Sequence, residues 1–316
     1  MTTPPFLKVN DTVGVIAPAY HIKPAQWETA IQLIHSWGLR TELGKSLRLQ
    51  DGVFAGNDAQ RVDDLVAMMR NPQIKAILCA RGGYGCSRLL PHLERYSSSF
   101  APKWLIGYSD VTALSSHMVN RLQWQCIHGP MPVDLASEQN PNKQNSWNHL
   151  HRLLFGQMPS YSLPANSLNR CGNTTAPLVG GNLSVIYSLN ATPYQWQTDG
   201  SILFIEDVGE KLYHLDRMMT NLRIGGQLAN LKGLIVGAMN DMHDSNPSFG
   251  KSSSEIIASH VEEYDYPVVF GFPAGHDGSN FPLVLGANIN LNVSDDLATV
   301  NQCHTLDNQN KPQKMM

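Results

Sequence analysis

Through residues 12–128, short apolar runs alternate with stretches of helical period, and that alternation leaves few folds open. The run Thr12-Val13-Gly14-Val15-Ile16-Ala17 stops at Pro18. Runs of the same kind lie at 74–80, 104–107 and 125–128, with a weaker one at 40–43. Between them, 24–37 and 58–70 have helical spacing. Pro24 stands in the first turn of one and Gly38 just past its end; Asn71-Pro72 stops the other. Strand, helix, strand, helix predicts a parallel sheet covered on both faces, with ligand sites beyond the carboxyl ends of its strands. Two such ends carry glycine: Arg81-Gly82-Gly83-Tyr84-Gly85 after 74–80, and Gly107-Tyr108-Ser109-Asp110 after 104–107.

The second of these turns feeds a predicted amphipathic helix over 111–122, with Val111, Leu114, Met118 and Leu122 on one stripe. A serine on a strand-to-helix turn exposes its hydroxyl beside unpaired helix amides, a geometry that suits a nucleophile whose attack creates an oxyanion. The other reading is that Ser109 or Asp110 only caps the helix. The hydrolase pattern Gly-x-Ser-x-Gly is not present, because Val111 stands at the second glycine. The loop 81–85 has three readings: a phosphate cradle, an oxyanion hole with amides near Gly83 and Asp110, or a plain tight turn. Its spacing matches neither Gly-x-Gly-x-x-Gly nor a P-loop with lysine.

Composition turns polar at 134–148, which predicts a linker over 134–174 with a short helix at 149–155. A second domain then covers 175–306. Its predicted strands are 201–205, 231–236, 267–270 and 288–293, and its helices 212–222 and 254–264. Residues 241–253 read as a loop and 307–316 as a polar tail. The first domain covers 1–133. In the second, Ile202-Leu203-Phe204-Ile205 drives into Glu206 and Asp207. Alternation puts these carboxylates on opposite faces, so one of them, Glu206, is expected to face the site, while Asp207 suits a helix cap. A buried strand-end carboxylate needs a partner, and orienting a histidine is one use for it. His276 follows a strand inside the Gly/Pro-rich stretch Gly271-Phe272-Pro273-Ala274-Gly275. Glu210 is a more distant candidate. Trp196 and Tyr194 either stack on a ligand or cover the core.

Other classes recede. The net charge of -3 comes without a basic stripe, which argues against nucleic acid. The N-terminal stretch lacks a basic, apolar leader, and no run suits a bilayer. Five widely spaced cysteines with no Cys-x-x-Cys pair suggest reduced thiols and a cytoplasmic protein. No His-Glu-x-x-His occurs, and His149 and His151 face different sides of a helix, so no metal is expected.

Taken together, Arg-Gly-Gly-Tyr-Gly at 81–85, Gly-Tyr-Ser-Asp at 107–110, Gly-Gly-Asn-Leu at 180–183, Ile-Glu-Asp at 205–207 and Gly-His at 275–276 resemble the LD-carboxypeptidases, in family order. The resemblance implies a Rossmann-like N-terminal domain with a parallel sheet, plus a smaller β-rich α/β C-terminal domain, assembled as a homodimer. It implies a serine peptidase with Ser109 as nucleophile, Glu206 as orienting acid and His276 as general base. Main-chain amides at Gly83 and Asp110 would form the oxyanion hole, and no cofactor would be needed. The implied substrate is a cytoplasmic murein tetrapeptide, cut between meso-diaminopimelate and D-Ala. Arg81 is a candidate for the substrate carboxylate, or a brace for the glycine loop. Asn182 is a candidate for substrate main chain, or a helix cap. Rival readings are a microcin C immunity-type hydrolase acting on aminoacyl or peptidyl adenylates, a nucleotide-binding module, and a murein-peptide-binding protein without catalysis.

Overall fold

The computed structural model describes residues 1–96, 100–136 and 141–303. The predicted tail at 307–316 lies outside them. The strands are β1 (Thr12–Ile16), β2 (Arg40–Leu43), β3 (Ile74–Cys79), β4 (Trp104–Gly107), β5 (Cys126–His128), β6 (Ser160–Pro164), β7 (Gly172–Asn182), β8 (Ile202–Val208), β9 (Gly233–Asn240), β10 (Val268–Phe270), β11 (Leu283–Leu285), β12 (Asn288–Val293) and β13 (Leu297–Gln302). The helices are α1 (Glu28–Ser36), α2 (Asp58–Arg70), α3 (Leu90–Leu93), α4 (Thr112–Ser116), α5 (Pro132–Leu135), α6 (Pro141–Leu154), α7 (Leu183–Leu189), α8 (Leu212–Ile224) and α9 (Ser253–His260).

The first sheet runs β11-β5-β4-β3-β1-β2 and is parallel except for β11. The second runs β10-β9-β8-β7-β12-β13-β6, parallel from β10 to β7 and antiparallel beyond. The chain is therefore α/β in two halves, each with a parallel core.

The halves are not separate globules. Helix α4 packs against β5 on one side and against β7 and α7 on the other. One apolar cluster continues from Leu65 through Leu114 and Met118 into Leu183 and Phe204. That corrects the expected amphipathic helix over 111–122: every residue from Asp110 to Val119 is buried. Two of its polar positions find partners across the junction. Ser116 Oγ donates to the Tyr194 carbonyl at 2.6 Å, and Asn182 N–H donates to Thr112 Oγ1 at 3.0 Å.

The expected linker is also structured. Helix α6 is fourteen residues long and buries Trp147, Leu150, Leu153 and Leu154. Strand β6 pairs with β13, alternating exposed serines and a proline with buried Tyr161 and Leu163. Residues 137–140, within the same stretch, lie outside the described residues. Strand β11 belongs to the C-terminal part of the chain yet returns to pair with β5. A cut by sequence position thus divides the molecule differently from a cut by sheet. Trp196 is buried and covers the core.

Gly180 shows how tightly the second sheet is built. Its φ is +117°, and a Cβ there would lie 2.1 Å from the Phe204 carbonyl oxygen on β8. Gly200, at φ +71°, has nothing within 4 Å of the same position. Gly180→Ala is expected to lose roughly 3 kcal/mol or more, combining left-handed strain with backbone overpacking. Gly200→Ala should lose only about 1–2 kcal/mol. Urea unfolding of both variants checks the contrast.

Candidate active site

Strand β4 ends at Gly107, where a Cβ would press within 3.0 Å of Val111, so the turn must begin with glycine. Tyr108 stays extended, and Ser109 then takes φ +59°, a left-handed conformation unusual for serine. Such a residue carries about 1–2 kcal/mol of strain, which the buried turn around it must offset. Neither Ser109 nor Asp110 caps the following helix through its side chain. The capping alternative therefore has no hydrogen bond behind it. The Ser109 hydroxyl is half-buried and bonds to no other described residue.

The loop after β3 lies directly on this turn. A Cβ on Gly82 would sit 3.0 Å from Ser109 Cβ and 3.4 Å from the Asp110 nitrogen. Gly83 adopts φ +111°, and a side chain there would run into the Tyr20 ring. Among the described residues, neither the Gly83 nor the Asp110 amide donates a hydrogen bond. Two free N–H groups thus flank the serine. The Asp110 carboxylate turns the other way and accepts from Cys86 N–H at 2.8 Å.

From the second half, β8 carries Glu206, which is fully buried. His276 Nδ1 lies 2.7 Å from Glu206 Oε2, so a proton on Nδ1 is donated to the carboxylate and Nε2 is left as an acceptor. The loop can come this close because Gly275 has φ +129°, where a Cβ would stand 2.9 Å from the same oxygen. Asp207 points to the other side, as strand alternation requires. It accepts from Asn182 Nδ2 at 3.0 Å and from the amide and hydroxyl of Ser184. Burial, helped by the nearby Glu206, raises the Asp207 pKa to about 6 against the bonds from Ser184.

The Tyr108 ring connects the two halves. It packs 4.9 Å from the His276 ring, and its hydroxyl donates to Asp134 Oδ1 at 2.8 Å. Tyr108 thus links the Ser109 turn to His276, but no hydrogen bond joins Ser109 and His276 in this structure. They open on different spaces. Ser109 lines a cleft of about 320 Å³ with Gly83, Tyr84, Asn182, Asp207 and Glu210. His276 lines a cavity of about 280 Å³ with Tyr108, Asp134, Lys143 and Asn280. Burial lowers the His276 pKa, but Glu206 first, then Asp134 and Asp207, more than offset it, and the net shift is upward.

The remaining candidates fall as follows. Arg81 turns away to the Tyr20 ring, 5.7 Å off, and to the His21 carbonyl at 3.3 Å, which is the bracing alternative. Asn182 caps α7, accepting from Val185 N–H at 3.2 Å, while its Nδ2 serves Asp207. Glu210 pairs with His214 at 2.5 Å. Three neighbours escaped the sequence reading: Tyr108 as a spacer, Asp134 as its anchor, and His128. The last is buried edge-on to Phe204 at 4.8 Å, and burial pushes its pKa down to about 4. His128 sits at the end of β5 next to Gly129-Pro130, the same strand-end signal that singled out the other loops.

Known proteins resemble most of the chain. The LD-carboxypeptidase N-terminal domain matches residues 13–129, and the LD-carboxypeptidase C-terminal domain matches 175–291. The probable murein peptide carboxypeptidase of Bacillus subtilis is 33% identical over 94% of this chain and 93% of its own. The microcin C7 self-immunity protein MccF of Escherichia coli is 23% identical over 91% of this chain and 94% of its own. The crystal structure of muramoyltetrapeptide carboxypeptidase from Oxalobacter formigenes superposes with a TM-score of 0.82 at 24% identity, covering 92% of this chain and 98% of that one.

The Glu206–His276 pair makes a measurable prediction. The imidazole of His276 should titrate above 6.5 by NMR, and Glu206→Gln should lower its midpoint by about 1–3 units. Because the folded pKa exceeds the unfolded one, His276 adds stability below about pH 6.5 and loses that contribution as pH rises through the folded value.

Proposed function

The chain belongs to the LD-carboxypeptidase family of serine-type peptidases, and from that premise we propose that it releases the terminal D-Ala from murein tetrapeptides through a Ser109-Glu206-His276 triad. The observation that carries the reading is the Glu206–His276 hydrogen bond, linked through Tyr108 to the strained serine turn.

A serine hydroxyl is a weak nucleophile at its ordinary pKa and an amide is a poor electrophile. In the proposed reaction His276 Nε2 takes the Ser109 proton as Oγ attacks the carbonyl of the L centre of diaminopimelate. Glu206 holds the imidazole in the tautomer with Nδ1 protonated and stabilises the imidazolium that forms. The carbonyl oxygen becomes an oxyanion and meets the Gly83 and Asp110 N–H groups. Loss of one such donor typically costs about 3 kcal/mol in the barrier. His276 returns its proton to the departing D-Ala nitrogen, leaving an ester on Ser109. Water, deprotonated by His276, then hydrolyses that ester and restores the hydroxyl. The hydroxyl-to-imidazole hydrogen bond, not closed in this structure, is of the kind that tightens when substrate enters.

The reading places the enzyme in the cytoplasm, recycling cell-wall peptides as a homodimer. No described helix is long and apolar enough to cross a membrane. The similarity to the self-immunity protein supports a second reading, cleavage of an aminoacyl or peptidyl adenylate by the same triad. One feature favours the murein peptide. Trp196 and Trp147 are buried, so neither offers an open face to a purine.

Ser109→Ala should abolish D-Ala release from murein tetrapeptide while circular dichroism stays native. Wild-type protein should release D-Ala from the tetrapeptide and leave pentapeptide and aminoacyl-adenylate analogues intact. Full activity in Ser109→Ala would refute the serine mechanism, and preferential turnover of the adenylate would select the second reading.

A further inference from the structure

Arg61, on α2, lies beneath the glycine loop with no exposed surface. Its Nη1 donates to the Pro18 carbonyl at 2.6 Å and to the Gly85 carbonyl at 3.1 Å. Its Nη2 pairs with Asp58, and the Phe54 ring centre lies 4.9 Å from the guanidinium carbon. The Nε atom is buried without a partner among the described residues. On the far side of the same loop, Cys86 N–H donates to Asp110 Oδ2 at 2.8 Å. The Gly85 carbonyl and the Cys86 N–H are the two ends of one peptide group. A buried cation therefore holds its oxygen and a buried anion holds its N–H, each matched to the partial charge it meets.

This arrangement is a poor device for stability alone. Burying a guanidinium costs several kcal/mol that its partners only repay, and an apolar side chain of similar volume is often as good or better. Its use lies in where it acts. Gly82, Gly83 and Gly85 give the loop little steric definition of its own. Gly83 and Gly85 both sit at positive φ, and a Cβ on Gly85 would stand 2.6 Å from Arg61 Nη1. A soft loop carrying an oxyanion donor has to be fixed by something outside itself. The carbonyls that Arg61 binds lie in the segments that follow two parallel strands, Pro18 past β1 and Gly85 in the glycine loop after β3.

We propose that Arg61 and the Asp110 carboxylate are positioning residues for the oxyanion donors. By clamping the Gly85–Cys86 peptide from both ends, they hold the Gly83 N–H beside the Asp110 N–H, over Ser109. This rests on the serine-peptidase reading. Misplacing a catalytic group by about 1 Å can cost roughly 100-fold in rate, so the clamp governs turnover more than substrate affinity.

The test uses the full chain as wild type, Arg61→Lys, Arg61→Met and Asp110→Asn, with murein tetrapeptide and a murein-peptide boronic acid whose boron replaces the scissile carbonyl. The boronate becomes tetrahedral on Ser109 and places an oxygen where the oxyanion forms. In the Arg61 variants kcat should fall about 30- to 300-fold with KM within about threefold, and the boronate Ki should rise in step with the loss in kcat. Asp110→Asn keeps an acceptor for Cys86 N–H without the charge and should lose about tenfold in both. Arg61→Lys keeps a cation in place should Arg61→Met not fold. Wild-type kcat and boronate Ki in folded Arg61→Lys and Asp110→Asn would overturn the clamp. So would losses that only track the folded fraction. A wild type that neither releases D-Ala nor binds the boronate would instead remove the peptidase reading on which the clamp rests.

Discussion

A carboxylate with no exposed surface has to be answered by a partner, and in this molecule the answer to Glu206 is His276. Much of the architecture follows from that need. Strand β8 is apolar up to the acid and drives it into the interior. The loop that follows β10 must come close enough to present an imidazole, which only Gly275 in a left-handed conformation allows. The ring then needs a wall on its other side, and Tyr108 supplies it, fixed by its hydrogen bond to Asp134. Tyr108 also immediately precedes Ser109. Glu206, His276 and the serine turn are thus joined by one hydrogen bond, one ring contact and one peptide bond.

Such an arrangement spans two sheets, so the sheets must not drift. Helix α4 is buried along its length between them, and its Thr112 and Ser116 hydroxyls bond to groups from the other half. Strand β11 leaves the C-terminal part of the chain and completes the edge of the first sheet. A continuous apolar core crosses the junction. These features make the cleft a product of the whole chain instead of a gap between two independent bodies.

Sequence period and turn chemistry carried much of this, and the exceptions have physical causes. Helix α2 matches the expected 58–70 because Asn71-Pro72 ends it, and in the structure Asn57 and Gln60 form a reciprocal cap at its start. Strands β2, β4 and β12 were legible for similar reasons. Helix α6 was shortened because its apolar stripe is diluted by Asn, Gln and Ser, which made the whole stretch look like a tether. Strands β6 and β13 alternate buried and exposed residues, but within polar surroundings that hide a period of two. Helix α4 reads as half-exposed because Thr112, Ser115 and Ser116 are polar, whereas Thr112 and Ser116 bond to groups from the other half instead of facing water. At the site, alternation correctly separated Glu206 from Asp207, since it depends only on the strand. For Arg81 and Asn182 the sequence leaves the bracing and capping readings open beside substrate binding, and for Arg61 it offers no use. Each depends on which loop the side chain meets, and that is decided by the packing of segments far apart in the chain.

The account stands on Ser109 being activated by a histidine from the other half of the molecule. Intact-protein mass spectrometry after brief exposure to a fluorophosphonate measures that activation directly. A single adduct on Ser109 in the wild type, lost in His276→Ala and strongly slowed in Glu206→Gln, is the predicted result. An unlabelled Ser109, or labelling that proceeds at the same rate without His276, would contradict it.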